Sequence, residues 1–163
     1  FDVVFAWMVV EHLADPLTTL AEVHRVLRSD GWFVFSVPNF ASWERVFFGR
    51  YWHALETPRH LQHFHPRSIR RLLSESGFEN VRILHHHSLN QAAGSLGLWL
   101  QENHWFPGLA KRLIDIPHRP SVMSTVAMAP AAKLAAWLKQ SGRLTVVARK
   151  PTMGTSKSTG KGQ

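Results

Sequence analysis

The sequence predicts an α/β fold organised around a largely parallel sheet, and three local patterns predict it. Residues 1–10 (FDVVFAWMVV) are apolar at nearly every position and rich in β-branched and aromatic side chains. A strand buried on both faces reads this way. Asp15-Pro16 then places an N-cap and a first-turn proline ahead of Leu17, Leu20, His24 and Leu27, which recur at helical spacing with Val23 and Val26 beside them. Gly31 stops that helix, and Trp32–Val37 (WFVFSV) is a second buried strand closed by Pro38-Asn39. Strand, helix and strand within about 38 residues make a βαβ unit, whose strands run parallel with a right-handed crossover.

The rest of the chain follows by the same signals. Phe40–His65 is irregular, aromatic and histidine-rich, with a short helix at Ser42–Phe48. Pro66 opens a helix that turns Ile69, Leu72 and Leu73 inward and ends at Gly77. Phe78–His86 reads as a third strand, with Val81 and Ile83 on one face. Helices are predicted at Leu89–Leu100, Leu109–Ile116 and Pro130–Gln140, so that residues 89–140 form a helical insertion. Ser141-Gly142 then turns the chain into a last strand at Leu144–Ala148. Residues 1–150 form the domain, and the Gly/Ser/Thr/Lys-rich stretch 151–163 is expected to be disordered.

Composition narrows the function. With 45% hydrophobic and 18% charged residues the chain is globular, which excludes a disordered polymer or a coiled coil. The net charge of +8 is unevenly placed: all 11 acidic residues lie at or before Asp115, where as many basic residues balance them. The excess begins at Arg119, so the bulk of the domain is neutral and a nucleic-acid partner is not expected. No cysteine is present, which removes disulfides, thiolate metal sites and cysteine nucleophiles. No apolar run approaches the ~18 residues of a membrane span, and no signal-peptide pattern appears, so a cytoplasmic location is expected. The strand-like run at Phe1, without a Met or a polar leader, reads as the interior of a longer domain.

Three stretches, FDVVFAWMVVEHLADP (1–16), LAEVHRVLRSDGWFVFSVPN (20–39) and PRHLQHFHPRSIRRLLSESGF (58–78), stand in order and cover roughly half the chain. Together they resemble the second half of a class I S-adenosylmethionine-dependent methyltransferase, closest to the small-molecule families that include the ubiquinone-type O-methyltransferases. The resemblance implies a Rossmann-like sheet of order 3-2-1-4-5-7-6, truncated here to strands 4–7. The run at Phe1 would be strand 4, Trp32–Val37 strand 5, Glu79–His86 strand 6 and Arg143–Arg149 the antiparallel strand 7. The family's GxGxG cofactor loop and its ribose-binding acidic residue match nothing in residues 1–163. The expectation is therefore a C-terminal half that is inactive alone, with strand 4 left as an open sheet edge.

Ligands of open α/β sheets lie beyond the carboxyl ends of the strands. The resemblance implies that Ala6, Trp7 and Met8 line the methionine end of S-adenosyl-L-methionine, largely through backbone. Methyl transfer from a sulfonium requires mainly positioning and desolvation. A hydroxyl acceptor also gains from a base, and histidine as a residue type titrates near neutrality. His12 fits that role, with Glu11 orienting either His12 or the substrate; alternatively Glu11-His12 orders the loop entering the next helix. Pro38 and Asn39 follow strand 5 at the site. By resemblance His60 and Phe64 cover the acceptor pocket, with Arg59 available to an anionic group.

No metal is expected. Ubiquinone-type relatives place a further carboxylate three residues before the Glu, where this chain has Met8. His60, His63 and His65 have no carboxylate within three residues and read as a solvated loop, while His85-His86-His87 alternate across a strand end. The aromatics Trp43, Phe47, Phe48, Tyr51 and Trp52 make either an apolar acceptor pocket or a lid packed on the sheet. The function implied is methyl transfer to an oxygen, or a nitrogen, of a small or lipid-like acceptor. The alternative is a non-catalytic membrane-surface or partner-binding module that uses the basic C-terminal helices.

Overall fold

The computed structural model of the chain describes residues 1–119 and 121–152. Four strands, β1 (Val3–Trp7), β2 (Trp32–Pro38), β3 (Glu79–His85) and β4 (Arg143–Arg149), form one sheet in the order β1-β2-β4-β3. β1 and β2 run parallel, Val3 opposite Trp32 through Trp7 opposite Ser36. β4 lies antiparallel to both β2 and β3. This is the expected order 4-5-7-6 with strand 7, here β4, reversed, in a mixed α/β sheet.

α1 (Pro16–Val26) joins β1 to β2, and Asp15 caps it as the sequence predicts: its Oδ1 accepts from Thr18 N at 3.1 Å. α3 (Pro66–Glu75) packs beside α1 and ends at Gly77, whose φ of 82° is one that a side chain disfavours. Both helices cover one sheet face. There Leu20, Phe33, Phe35, Val37, Ile69, Leu73, Leu144 and Val146 lose essentially all solvent contact. Each such side chain contributes about 1.5–3 kcal/mol, so this layer fixes the sheet that carries the site.

Three elements depart from the sequence reading. The first strand ends at Trp7, and Val10–His12 is a 3₁₀ turn. β1 is also not buried on both faces, since Phe5 is 71% exposed: β1 is an edge strand, and the helix layer lies on the opposite face of the sheet. The helix expected from Pro130 starts eight residues earlier, as α6 (Val122–Trp137), with Pro130 inside it. Pro130 is exposed, so water can serve the carbonyl that loses its N–H partner.

α4 (Asn90–Glu102) and α5 (Pro107–Asp115) pack closely on each other, and with α6 they fill the connection between β3 and β4. The short α2 (Trp43–Phe48) follows β2 and is capped by Ser42. Of the expected disordered tail, residues 153–163 lie outside the described residues. Thr152 Oγ1, just before them, donates to Asp30 Oδ1 at 2.6 Å.

Candidate active site

A cavity of about 410 Å³ opens beyond the carboxyl ends of β1 and β2. Met8 lies immediately after β1, and Arg143 enters the same end of the sheet because it is paired with Pro38 at the tip of β2. The parallel pairing of β1 and β2 thus brings two strand ends to one place, and the antiparallel β4 starts there. Met8, His12, Arg59, His60, Gln91 and Arg143 are among the residues that line the cavity.

The 3₁₀ turn after β1 sets Glu11 inward and His12 toward the cavity. Its backbone is tied to a distant loop, since the Glu11 carbonyl accepts from both Leu61 N and Gln62 N at 2.9 Å. The same loop returns to the His12 ring, where Nδ1 lies 2.8 Å from the Arg59 carbonyl. A carbonyl only accepts, so Nδ1 carries a proton, and in the neutral form of the ring the lone pair is on Nε2. His60 is fixed in the same way, its Nδ1 donating to the Ala54 carbonyl at 2.8 Å. The two imidazoles meet edge to face with ring centroids 4.7 Å apart. Burial pushes the His60 imidazole below its ordinary range, partly opposed by the Ala54 carbonyl and Glu56, with His12 and His63 adding to the lowering. Glu11, His12 and His60 each offer a donor atom, all within 4.8 Å of one another.

Behind this wall lie two buried carboxylates. Glu11 and Glu44 are both fully buried, and neither carboxylate oxygen of either has a hydrogen-bond partner among the described residues. Burial raises the Glu11 carboxyl above its usual range and takes that of Glu44 up to about 7. The Trp52 indole N–H approaches Glu44 without reaching hydrogen-bond geometry and pulls its pKa back down, as does the Arg143 guanidinium. Arg143 serves both carboxylates electrostatically while facing the cavity. Gly142 leaves the room this needs, because a Cβ there would collide with the Glu44 carboxylate.

The structure brings together only part of the predicted set. Met8, His12, Arg59 and His60 reach the cavity wall, and Glu11 stands buried beside His12. Ala6 packs against the core, whereas Trp7 is half-exposed and edge-on to His86. Pro38, Asn39 and Phe64 do not line the cavity. Asn39 is buried with its amide spent on backbone, donating to the Ser141 carbonyl at 2.8 Å and accepting from Ala41 N at 3.1 Å. Phe64 is bridged to Asn39 and belongs to the core.

Among the aromatics, Trp52 is fully buried, and Phe47, Phe48 and Tyr51 join Leu96 and Trp99 around a separate apolar cavity. His85 and His86 bind Ser141 and Thr145 through their rings, and His63 the Leu55 carbonyl. Sequence reasoning missed Glu44, Gln91 and Arg143. Arg143 alone carried a signal, as a cation at the mouth of a strand whose neighbours are apolar.

Comparison with known proteins was made for sequence and for fold. A family model described as "Methyltransferase domain" matches residues 1–83. No curated protein sequence matches the chain. An S-adenosylmethionine-dependent methyltransferase of Thermotoga maritima shares the fold, with a TM-score of 0.52 and 12% identity over 92% of this chain and 56% of its own. One of Archaeoglobus fulgidus gives a TM-score of 0.49 and 18% identity over 92% and 59%. A Haemonchus contortus phosphoethanolamine N-methyltransferase, solved with phosphomonomethylethanolamine and S-adenosylhomocysteine, gives 0.46 and 10% over 93% and 34%. The chain thus spans between a third and three fifths of the length of these solved relatives.

Proposed function

The chain belongs to the methyltransferase domain family, whose model covers residues 1–83, and from that premise we propose that it serves S-adenosylmethionine-dependent methyl transfer to an oxygen, or a nitrogen, of a small or lipid-like acceptor. One observation carries the reading: Met8 at the tip of β1, Arg143 at the start of β4 beside the tip of β2, and an imidazole whose Nε2 makes no hydrogen bond among the described residues all line a single cavity. What the chain offers at the tip of β1 fits the methionine end of the cofactor. The backbone turns through φ 54° at Met8, immediately after β1 and on the cavity wall. Backbone amides and carbonyls are therefore within reach of a polar ligand, and Ala6, Trp7 and Met8 would hold it there. The glycine-rich loop of the family does not occur in residues 1–163, so this chain provides one side of the cofactor site.

S-adenosylmethionine, when bound, supplies an electrophilic methyl group on a sulfonium with a thioether as its leaving group. The acceptor occupies the cavity. His12 Nε2 takes the proton of an acceptor hydroxyl as its oxygen becomes nucleophilic, and the Arg59 carbonyl on Nδ1 holds the ring in that tautomer. Buried Glu11 stands beside the ring and fixes the turn that presents it. Arg59 stands exposed at the rim, where an anionic substituent of the acceptor would meet it. His60 closes the wall. Calorimetry of the full natural chain with S-adenosylmethionine should show saturable binding, and acceptor-dependent formation of S-adenosylhomocysteine should follow. Absence of binding at millimolar donor would defeat the proposal.

A specific surface supports a second reading, contact with a membrane surface. α6 exposes Val122, Met123 and Val126 together with Trp137, which is 78% exposed, and it carries Lys133. Lys139 follows it, within the segment that holds the chain's entire charge excess. None of the helices is long and apolar enough to cross a membrane among the described residues. Such a face suits the interface of an anionic bilayer. Flotation with vesicles containing phosphatidylserine at low salt should carry the protein, and the pair Lys133→Glu and Lys139→Glu should release it. A parent protein that stays at the bottom of the gradient removes this reading.

A further inference from the structure

A second group of donors on the wall of the same cavity takes no part in the chemistry above. We propose that His53, Glu56 and His118 form a binding site for a divalent transition-metal cation. Each contributes one donor atom, and the three atoms lie within 4.8 Å of one another. The His53 and His118 rings face each other with centroids 5.3 Å apart and planes 58° to one another. All three residues line the cavity.

Unlike the wall histidines His12 and His60, His53 and His118 keep both ring nitrogens out of hydrogen bonds among the described residues. His12, His60, His63, His85 and His86 each commit a ring nitrogen to a hydrogen bond. His53 and His118 make none through their rings among the described residues, although they come from segments far apart in the chain. The fold brings them together deliberately close. α4 passes behind them at Gly94, where a Cβ would lie 2.6 Å from His53 Cδ2 and 2.7 Å from Pro117 Cγ. Any side chain at that position would push the 53–56 turn and the 117–118 segment away from α4. The His53 backbone is pinned to the same helix, its N–H donating to Ser95 Oγ at 2.9 Å.

Two imidazole nitrogens and one carboxylate oxygen suit Zn²⁺, Co²⁺ or Ni²⁺ and not the oxygen-seeking Mg²⁺ or Ca²⁺. Bonds of about 2.0–2.1 Å place tetrahedral donors about 3.4 Å apart, so donors now within 4.8 Å must close by up to about 1.4 Å. His118 is exposed and can turn inward. Glu56 has only loose competing partners, Arg59 Nη1 and His60 Nε2, each 3.6 Å from its Oε2. Three protein ligands leave a coordination position toward the cavity, and the cation would bind the turn after α5 to the 53–56 turn.

The site stands apart from methyl transfer, and its test needs no turnover. The full chain, free of any histidine tag and stripped with chelator, is titrated with CoCl₂ and read by visible absorption. One equivalent should develop the d–d bands of four- or five-coordinate cobalt, and ZnCl₂ should abolish them. His118→Ala, a change at an exposed position, and His53→Ala should each weaken binding at least ten- to a hundredfold, the loss that even an outer-shell change produces. Glu11→Gln should leave the titration unchanged, which separates this site from the neighbouring Glu11–His12–His60 group. Circular dichroism confirms that each variant is folded. No saturable spectrum, or one lost in Glu11→Gln and kept in His118→Ala, would overturn the proposal.

Discussion

Replacing His12 should lower the turnover of a hydroxyl acceptor about 10²- to 10⁴-fold while donor affinity stays within a factor of two or three of the parent. The asymmetry follows from the geometry. His12 lines the cavity where the acceptor would lie, whereas the donor is assigned to the backbone after β1. Alanine alone would be ambiguous, because His12 Nδ1 also anchors the 59–62 loop through the Arg59 carbonyl. Asparagine separates the two roles. Its amide N–H₂ stands near the position of Nδ1 and can donate to the same carbonyl, but it cannot accept a proton there. If His12 acts as the base, His12→Asn falls to the level of His12→Ala in kcat with KM little changed. If His12 only holds the loop, His12→Asn restores most of the rate. Unaltered kcat in both variants would take His12 out of the reaction, and an amine acceptor, which needs no such base, gives the internal control.

The βαβ frame was legible because its signals are local. Asp15-Pro16 caps α1 within one turn, and the apolar run at Trp32 needs no distant partner to read as a strand. Glu11-His12 was legible for the same reason, since the strand end that presents them lies beside them in sequence. Most of what the sequence does not show has one physical origin, which is tertiary contact. The sequence places Asn39 at the site because an amide after a strand is free by default, whereas in the fold its N–H donates to the Ser141 carbonyl from the other end of the chain. Glu44 sits in a six-residue helix whose polar residues read as a solvated face, and only the arrival of Trp52 and Gly142 buries it. His53 and His118 have no spacing that marks them as partners, and no local pattern predicts that Gly94 lets them meet. Pro130 misled for another reason. Proline is favoured at the first helical position, and the sequence alone does not tell that position from an exposed interior one.

Glu44→Gln should stabilise the folded protein at pH 8 by about 2–3 kcal/mol and leave it nearly unchanged at pH 4.5. The Glu44 carboxyl is held up to about 7 in the folded chain, against an ordinary 4.5, first because burial disfavours its charge. Between those two values the folded state keeps a proton that the unfolded state releases. The protonated carboxyl therefore contributes stability that is fully present below pH 4.5 and is lost as pH rises through 7. A shift of that size corresponds to about 3 kcal/mol at 1.36 kcal/mol per unit, and glutamine, neutral and of the same shape, does not titrate. The parent's own profile does not isolate this effect. His24, His53, His60, His85 and His86 all have pKa values lowered by burial, and each adds stability as pH rises toward 6.5. The difference between variant and parent cancels those histidines. Urea unfolding of both proteins at pH 5, 6, 7 and 8 should give a gap that widens steadily across the series, with glutamine the more stable. A gap that stays flat would mean that Glu44 reaches water or a partner in the folded protein, and the picture of two unpartnered carboxylates behind Arg143 would fail with it.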